Sequence, residues 1–154
     1  FTLPTEKVYL FSRYEKLFLQ RLRDFRDRCE QAIGGEPVKI CVENADGYER
    51  DFVRKGLGLL LESPLFALTF DVGHNASAGG VHEPFIREHL DRLCHLHLHD
   101  AVGGSNHLPL GAGTLRLQEY LELADRHSCR VVLETKTVGA LRESLSWLKN
   151  RGYL

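Results

Sequence analysis

Methionine is absent from the 154 residues, and the sequence opens on Phe1. A native start would normally be methionine, so the expectation is a piece of something longer. No apolar run approaches the ~20 residues of a membrane-spanning helix. No charge of either sign is in surplus: 20 Lys+Arg face 21 Asp+Glu, for a net charge of -1. With no basic block, the electrostatics do not demand nucleic acid as a partner. Glu, Lys and Arg are mixed through Phe1 to Leu19, which does not fit a secretory leader. The four cysteines, Cys29, Cys41, Cys94 and Cys129, form no C-x-x-C pair, which argues against a structural zinc knuckle. They read instead as buried, reduced thiols of a cytoplasmic protein. No G-x-G-x-x-G follows a strand, so a dinucleotide fingerprint is missing.

What is present is ordinary globular material, 43% hydrophobic and 27% charged, enough for one domain over 1–154. Four short apolar runs recur: VKICVE (38–43), FALTFD (66–71), CHLHLH (94–99) and CRVVLE (129–134). Helix-length segments precede and separate them, over about 5–33, 49–62, 84–92, 115–127 and 138–150. The first should stop at Gly34-Gly35, with Pro37 just beyond. Pro84 suits a first helical turn. Strand starts about 28 to 35 residues apart have the period of a β-α unit. Near-continuous apolar strands are those of a parallel sheet covered by helices. The expected pattern is α/β: an N-terminal helix followed by (βα)4. Either an open doubly wound sheet or half of a (βα)8 TIM barrel satisfies it.

Each predicted strand closes on a residue able to bind metal. Glu43 ends the first, Asp71 the second, His97 lies near the end of the third, and Glu134 ends the fourth. The carboxyl ends of parallel strands meet at one face, where α/β proteins build their sites. A lone carboxylate there is ordinarily a helix cap or a surface charge. Asp71 in DVGHN could simply accept bonds from turn amides. Four at equivalent ends are different: three carboxylates and an imidazole would repel one another without a cation between them. Mixed oxygen and nitrogen ligands suit one divalent metal among Mn²⁺, Mg²⁺, Co²⁺ and Zn²⁺.

The stretch LCHLHLHD, 93–100, places three histidines on alternate positions. Alternation sends Leu96 and Leu98 toward the helices and His95, His97 and His99 to the opposite face. His97 is the ligand by position. His95 lies deeper and reads as a hydrogen-bonded structural histidine. His99 lies higher, toward substrate or a supporting place behind the ligands, and Asp100 begins the loop.

At ICVEN (40–44), FDVGH (70–74), HLHDAVGGSNHLPLGAG (97–113) and VVLET (131–135) the chain resembles the xylose isomerase-like TIM-barrel superfamily. That group holds sugar and sugar-phosphate isomerases and epimerases, inosose dehydratases and endonuclease IV. The resemblance covers nearly everything from Lys39 to Thr135, in the C-terminal half of the family barrel. Ketose 3-epimerases of the group hold one divalent metal by Glu, Asp, His and Glu from four successive strands. Those positions correspond to Glu43, Asp71, His97 and Glu134. The resemblance makes Glu43 and Glu134 the catalytic acid/base pair as well, and His74, the histidine of D-x-x-H, a substrate-binding residue. Endonuclease IV adds a D-x-H pair on a loop; here that place reads Ser105-Asn106-His107, with the histidine kept and the aspartate missing. His107 is then a substrate-binding loop residue near the site, or simply a surface histidine.

The resemblance implies a metal-dependent isomerase or epimerase acting on a small carbohydrate-like substrate, a sugar, sugar phosphate or polyol ketone, through an enediolate. An endonuclease IV-like hydrolase of abasic DNA needs more ligands and a DNA-binding surface. A non-catalytic half-barrel fragment is the third expectation. Family barrels have eight strands and this sequence has four. Alone it would expose two sheet edges and an apolar interior face. The expected remedy is a homo-oligomer or a missing N-terminal half.

Overall fold

A computed structural model describes residues 4–154, with side chains from residue 13 onward. The reading taken from Phe1 lies outside those residues. The first helix, α1, runs Pro4–Ile33 and ends at Gly34, whose φ of +60° is the left-handed turn that a helix C-terminus favours. Then come β1 (Ile40–Glu43), α2 (Asp51–Leu61) and β2 (Phe66–Asp71). A one-and-a-half-turn helix, α3 (Val72–Ser77), follows β2 directly. Next are α4 (Glu83–Glu88), a 3-10 turn (Leu90–Arg92) and β3 (Leu93–Leu98). A small hairpin, β4 (Asp100–Val102) and β5 (Ser105–Leu108), leads to α5 (Leu117–Arg126), β6 (Arg130–Leu133) and α6 (Val138–Lys149).

β1, β2, β3 and β6 make a four-stranded sheet in that order. Strands β2 and β3 are parallel, as are β3 and β6, with Asp71 opposite His97 and His97 opposite Val132. The order follows the chain without reversal, as in a barrel; a doubly wound sheet would reverse at a switch point. All four predicted strands are present, each beginning or ending within about two residues of expectation.

Three features depart from the sequence reading. The predicted helix over 84–92 is a short helix broken before a 3-10 turn, because His89 leaves helical geometry with φ -128° and ψ 39°. The loop after β3 contains the β4–β5 hairpin, joined across Gly103 and Gly104, with Gly103 at φ +55°. The cysteines are free, as expected, but each is half-buried rather than buried.

The chain forms two compact units. One gathers α1 and Ile40 with Gly47–Ala67; the other gathers Cys41–Asp46 with Leu68–Leu154. In the first, α1 packs on α2. Phe18 and Phe52 meet edge to face at 6.0 Å, and Gly56 lets the helices close: a Cβ there would come 2.7 Å from Leu22. Leu57, Leu59, Leu60 and Leu61 of α2 are buried. Burial of each such side chain contributes roughly 1.5–3 kcal/mol. In the second unit Leu68, Phe70, Leu96 and Leu98 are fully buried, and Phe70 packs edge to face on Tyr120 of α5. Among the described residues no helix is long and apolar enough to cross a membrane.

Candidate metal centre

All the predicted strand-end residues belong to the second unit. Glu43, Asp71, His97 and Glu134 each offer a ligand-type atom, and these atoms all lie within 4.8 Å of one another. The three approaches to His97 Nδ1 are 3.1 Å from Glu134 Oε2, 3.4 Å from Glu43 Oε2 and 3.7 Å from Asp71 Oδ2. Glu43 and Glu134 thus reach the same face of the sheet, from strand positions about 90 residues apart. Strand alternation does this: Leu96 and Leu98 are fully buried on one face while the side chain of His97, 18% exposed, looks out of the other.

Asp71 has two duties. As N-cap of α3 it accepts the His74 N–H at 2.6 Å through Oδ1, which is the turn expected of DVGHN. The same carboxylate takes His99 Nε2 at 3.1 Å from Oδ1 and 3.2 Å from Oδ2, and Oδ2 also lies 3.7 Å from His97 Nδ1. Burial alone would push this carboxyl up. The hydrogen bonds from His99 and the His74 amide outweigh burial and hold it below the usual carboxylate value.

His74 stands beside the cluster, its Nδ1 3.1 Å from Glu43 Oε1, with about a third of its side chain exposed. His99, by contrast, is fully buried and touches protein through both nitrogens. His107 comes in from the β4–β5 hairpin and stacks on His99 at 4.2 Å between centroids. Its Nδ1 lies 3.0 Å from the Glu134 carbonyl, which can only accept, so Nδ1 carries the proton. His95 is held below the others by Thr69 at 3.2 Å. Burial, followed by its neighbours His97 and Arg130, pushes it below the usual imidazole value.

Several supporting residues were not singled out from sequence. Asn44 is fully buried; its Oδ1 accepts the Asp71 N–H at 2.7 Å and its Nδ2 donates to the Asp71 carbonyl at 2.9 Å. That reciprocal pair locks the ends of β1 and β2 together immediately beneath the carboxylate. His82 backs Asn44, Nδ1 to Nδ2 at 3.2 Å. Asp100 accepts the N–H groups of Ala101, Gly111 and Leu115 and so ties down the long loop after β3. The signal for Asn44 was its place next to Glu43. An amide following a strand-end carboxylate can pair with the neighbouring strand's backbone.

The donor set fits a divalent cation. Three carboxylates and one imidazole give hard oxygen ligands with a borderline nitrogen, suited to Mn²⁺, Mg²⁺, Co²⁺ or Zn²⁺. Among the described residues His97 Nδ1 and Glu134 Oε2 are buried and neither makes a hydrogen bond, although 3.1 Å separates them. Two such atoms, left unpaired at that distance, are what a shared cation satisfies. His99, His107 and Glu134 form a second convergent group, but both nitrogens of His99 are already engaged.

The family described as xylose isomerase-like TIM barrel has a family model that matches residues 7–151. The chain belongs to that family, and its four parallel strands and helices are half of a TIM barrel preceded by an N-terminal helix. Comparison with curated proteins and with solved structures gave no match.

Proposed function

We propose that this member of the xylose isomerase-like TIM barrel family is a metal-dependent isomerase or epimerase for a small polyhydroxy carbonyl compound. One observation carries the proposal: ligand-type atoms of Glu43, Asp71, His97 and Glu134, one from each strand end, converge within 4.8 Å. The family includes isomerases, epimerases and endonuclease IV, so the choice among them rests on the residues.

Glu43, Asp71, His97 and Glu134 would hold one divalent cation. When bound, such an ion polarises a substrate carbonyl and stabilises negative charge developing on its oxygen. Glu43 and Glu134 approach His97 from the first and last strands, so a substrate carbon placed between them would have a carboxylate on each side. One takes the α-proton, giving an enediolate; the other returns a proton to the opposite side or to the neighbouring carbon. The first outcome is epimerisation and the second is aldose–ketose isomerisation. Dehydration of an inosose-type ketone shares the first step. His74, with its partly exposed ring beside Glu43, would bind a substrate hydroxyl. His107 would do the same through Nε2, since its Nδ1–H is committed to the Glu134 carbonyl. The remaining wall of the substrate pocket would come from a second copy or from an N-terminal half.

Incubation with Mn²⁺, Co²⁺ or Mg²⁺ in D₂O and a panel of ketoses, aldoses and inososes tests the reading. Deuterium entering the carbon next to the carbonyl, seen by NMR, is the expected result. Cleavage of abasic-site DNA without such exchange would replace it with the endonuclease IV-like activity. A chain that binds no cation and exchanges no proton would be a non-catalytic half-barrel.

A further inference from the structure

One buried imidazole joins the candidate cation site to the hairpin beside it. His99 is 0% exposed, and its neighbours specify its protonation. The His107 backbone N–H donates to His99 Nδ1 at 2.8 Å, so Nδ1 must carry a lone pair. A neutral ring then bears its proton on Nε2, which lies 3.1 and 3.2 Å from the two Asp71 oxygens and donates to that carboxylate. We propose that His99 is a positioning residue that fixes Asp71 for cation binding and, through its other nitrogen, holds the β4–β5 hairpin and its His107 in place. Cation occupancy and order of the hairpin are coupled through this ring.

The surroundings are built for that ring and for no larger movement of it. Gly73, in the first turn of α3, faces it so closely that a Cβ would overlap the imidazole carbon between the two nitrogens. The His107 ring stacks on it at 4.2 Å between centroids. His107 itself has φ +56°, a left-handed conformation that a residue with a Cβ adopts only when its surroundings hold it. Its N–H bond to His99 and its Nδ1–H bond to the Glu134 carbonyl are two such restraints. A carboxylate held by such a donor keeps a fixed orientation, and partners of this kind govern metal affinity.

The inference rests on the metal reading of the site. It predicts a separation that a plain core histidine would not give. In His99→Gln the side-chain amide nitrogen sits near the place of Nε2 and can still donate to Asp71, but the link to His107 is lost. In His99→Asn the side-chain oxygen sits near the place of Nδ1 and can still accept from His107, but the link to Asp71 is lost. Mn²⁺ titration of the full chain should show affinity lowered by about 10- to 100-fold in His99→Asn and close to wild type in His99→Gln. Hydrogen exchange of the His107 amide should speed up in His99→Gln and stay near wild type in His99→Asn. In the wild type, adding Mn²⁺ should slow it. Equal loss of both properties in the two variants, or loss of neither, would overturn the inference while leaving the metal site intact. A wild-type chain with no affinity for Mn²⁺, Co²⁺, Mg²⁺ or Zn²⁺ would overturn the metal reading and this coupling together.

Discussion

His97 Nδ1 lies 3.1 Å from Glu134 Oε2, and among the described residues neither atom is in a hydrogen bond. If the imidazole donated from Nδ1 to this carboxylate, the geometry would be aligned and the pair would count as satisfied. It is not aligned. Glu43 Oε2 and Asp71 Oδ2 also lie 3.4 and 3.7 Å from the same Nδ1. Glu134→Gln should therefore remove an anionic ligand while taking little from the fold. We expect cation affinity to fall by at least ~100-fold by calorimetry, and stability without metal to hold or rise slightly, because one of three mutually repelling carboxylates is neutralised. A variant that unfolds, or one that binds as wild type does, would refute the assignment.

Metal loading should stabilise the chain. Three carboxylates held together repel one another, and a cation removes that repulsion. A ligand bound only by the folded state at 100 times its Kd adds about 2.7 kcal/mol, which for a chain of this size raises Tm by about 5–10 °C. EDTA should reverse the shift. Differential scanning fluorimetry with Mn²⁺, Co²⁺, Zn²⁺ and Mg²⁺ would also rank the ions. No shift with any of them would mean that the four side chains hold no cation.

Much of this arrangement was legible in the residues. The four strands, their parallel order and the convergence of Glu43, Asp71, His97 and Glu134 follow from two periodicities: β-α units along the chain and alternation within each strand. The metal-ligand role competes at Asp71 with a helix-cap role, and the structure shows that one carboxylate serves the turn while keeping an oxygen toward His97. Less legible were residues acting through neighbours distant in sequence. Asn44 reaches the backbone of Asp71 across the sheet, and Asp100 gathers amides 11 and 15 residues on. The β4–β5 hairpin has no alternating apolar pattern to announce it, because SNHL is polar and the turn is two glycines. Gly73 lies close against the buried His99 ring, 26 residues away in sequence, and only coordinates bring the two together.

Gly73→Ala is the sharpest test of that packing. A Cβ at residue 73 would overlap the His99 ring, on which His107 is also stacked. Either α3 shifts or the ring tilts away from Asp71. Overpacking of this kind costs roughly 1–3 kcal/mol. Chemical denaturation should show that loss, and metal affinity should fall with it. Gly104→Ala is the control, since open space surrounds that position. If both variants behave alike, the close approach of Gly73 to His99 has no energetic weight.

Cys129 provides a pH prediction away from the site. Burial, with a smaller contribution from Cys94, raises its thiol to about 11. The ordinary value is near 9, so at pH 8 the thiolate fraction falls by roughly 100-fold. The higher intrinsic nucleophilicity of a more basic thiolate offsets about tenfold of that, leaving alkylation about tenfold slower than for an unperturbed thiol. The sign for stability follows from proton binding. Between pH 9 and 11 the folded chain keeps a proton that the unfolded chain has lost. This contribution is fully present below pH 9 and disappears as pH rises toward 11. Cys129→Ser should flatten that part of the stability profile, and mass spectrometry after timed iodoacetamide treatment should find Cys129 labelled late. Labelling at the rate of a free thiol would show that the side chain is not held against the Leu93 carbonyl, 3.6 Å away, where the structure places it.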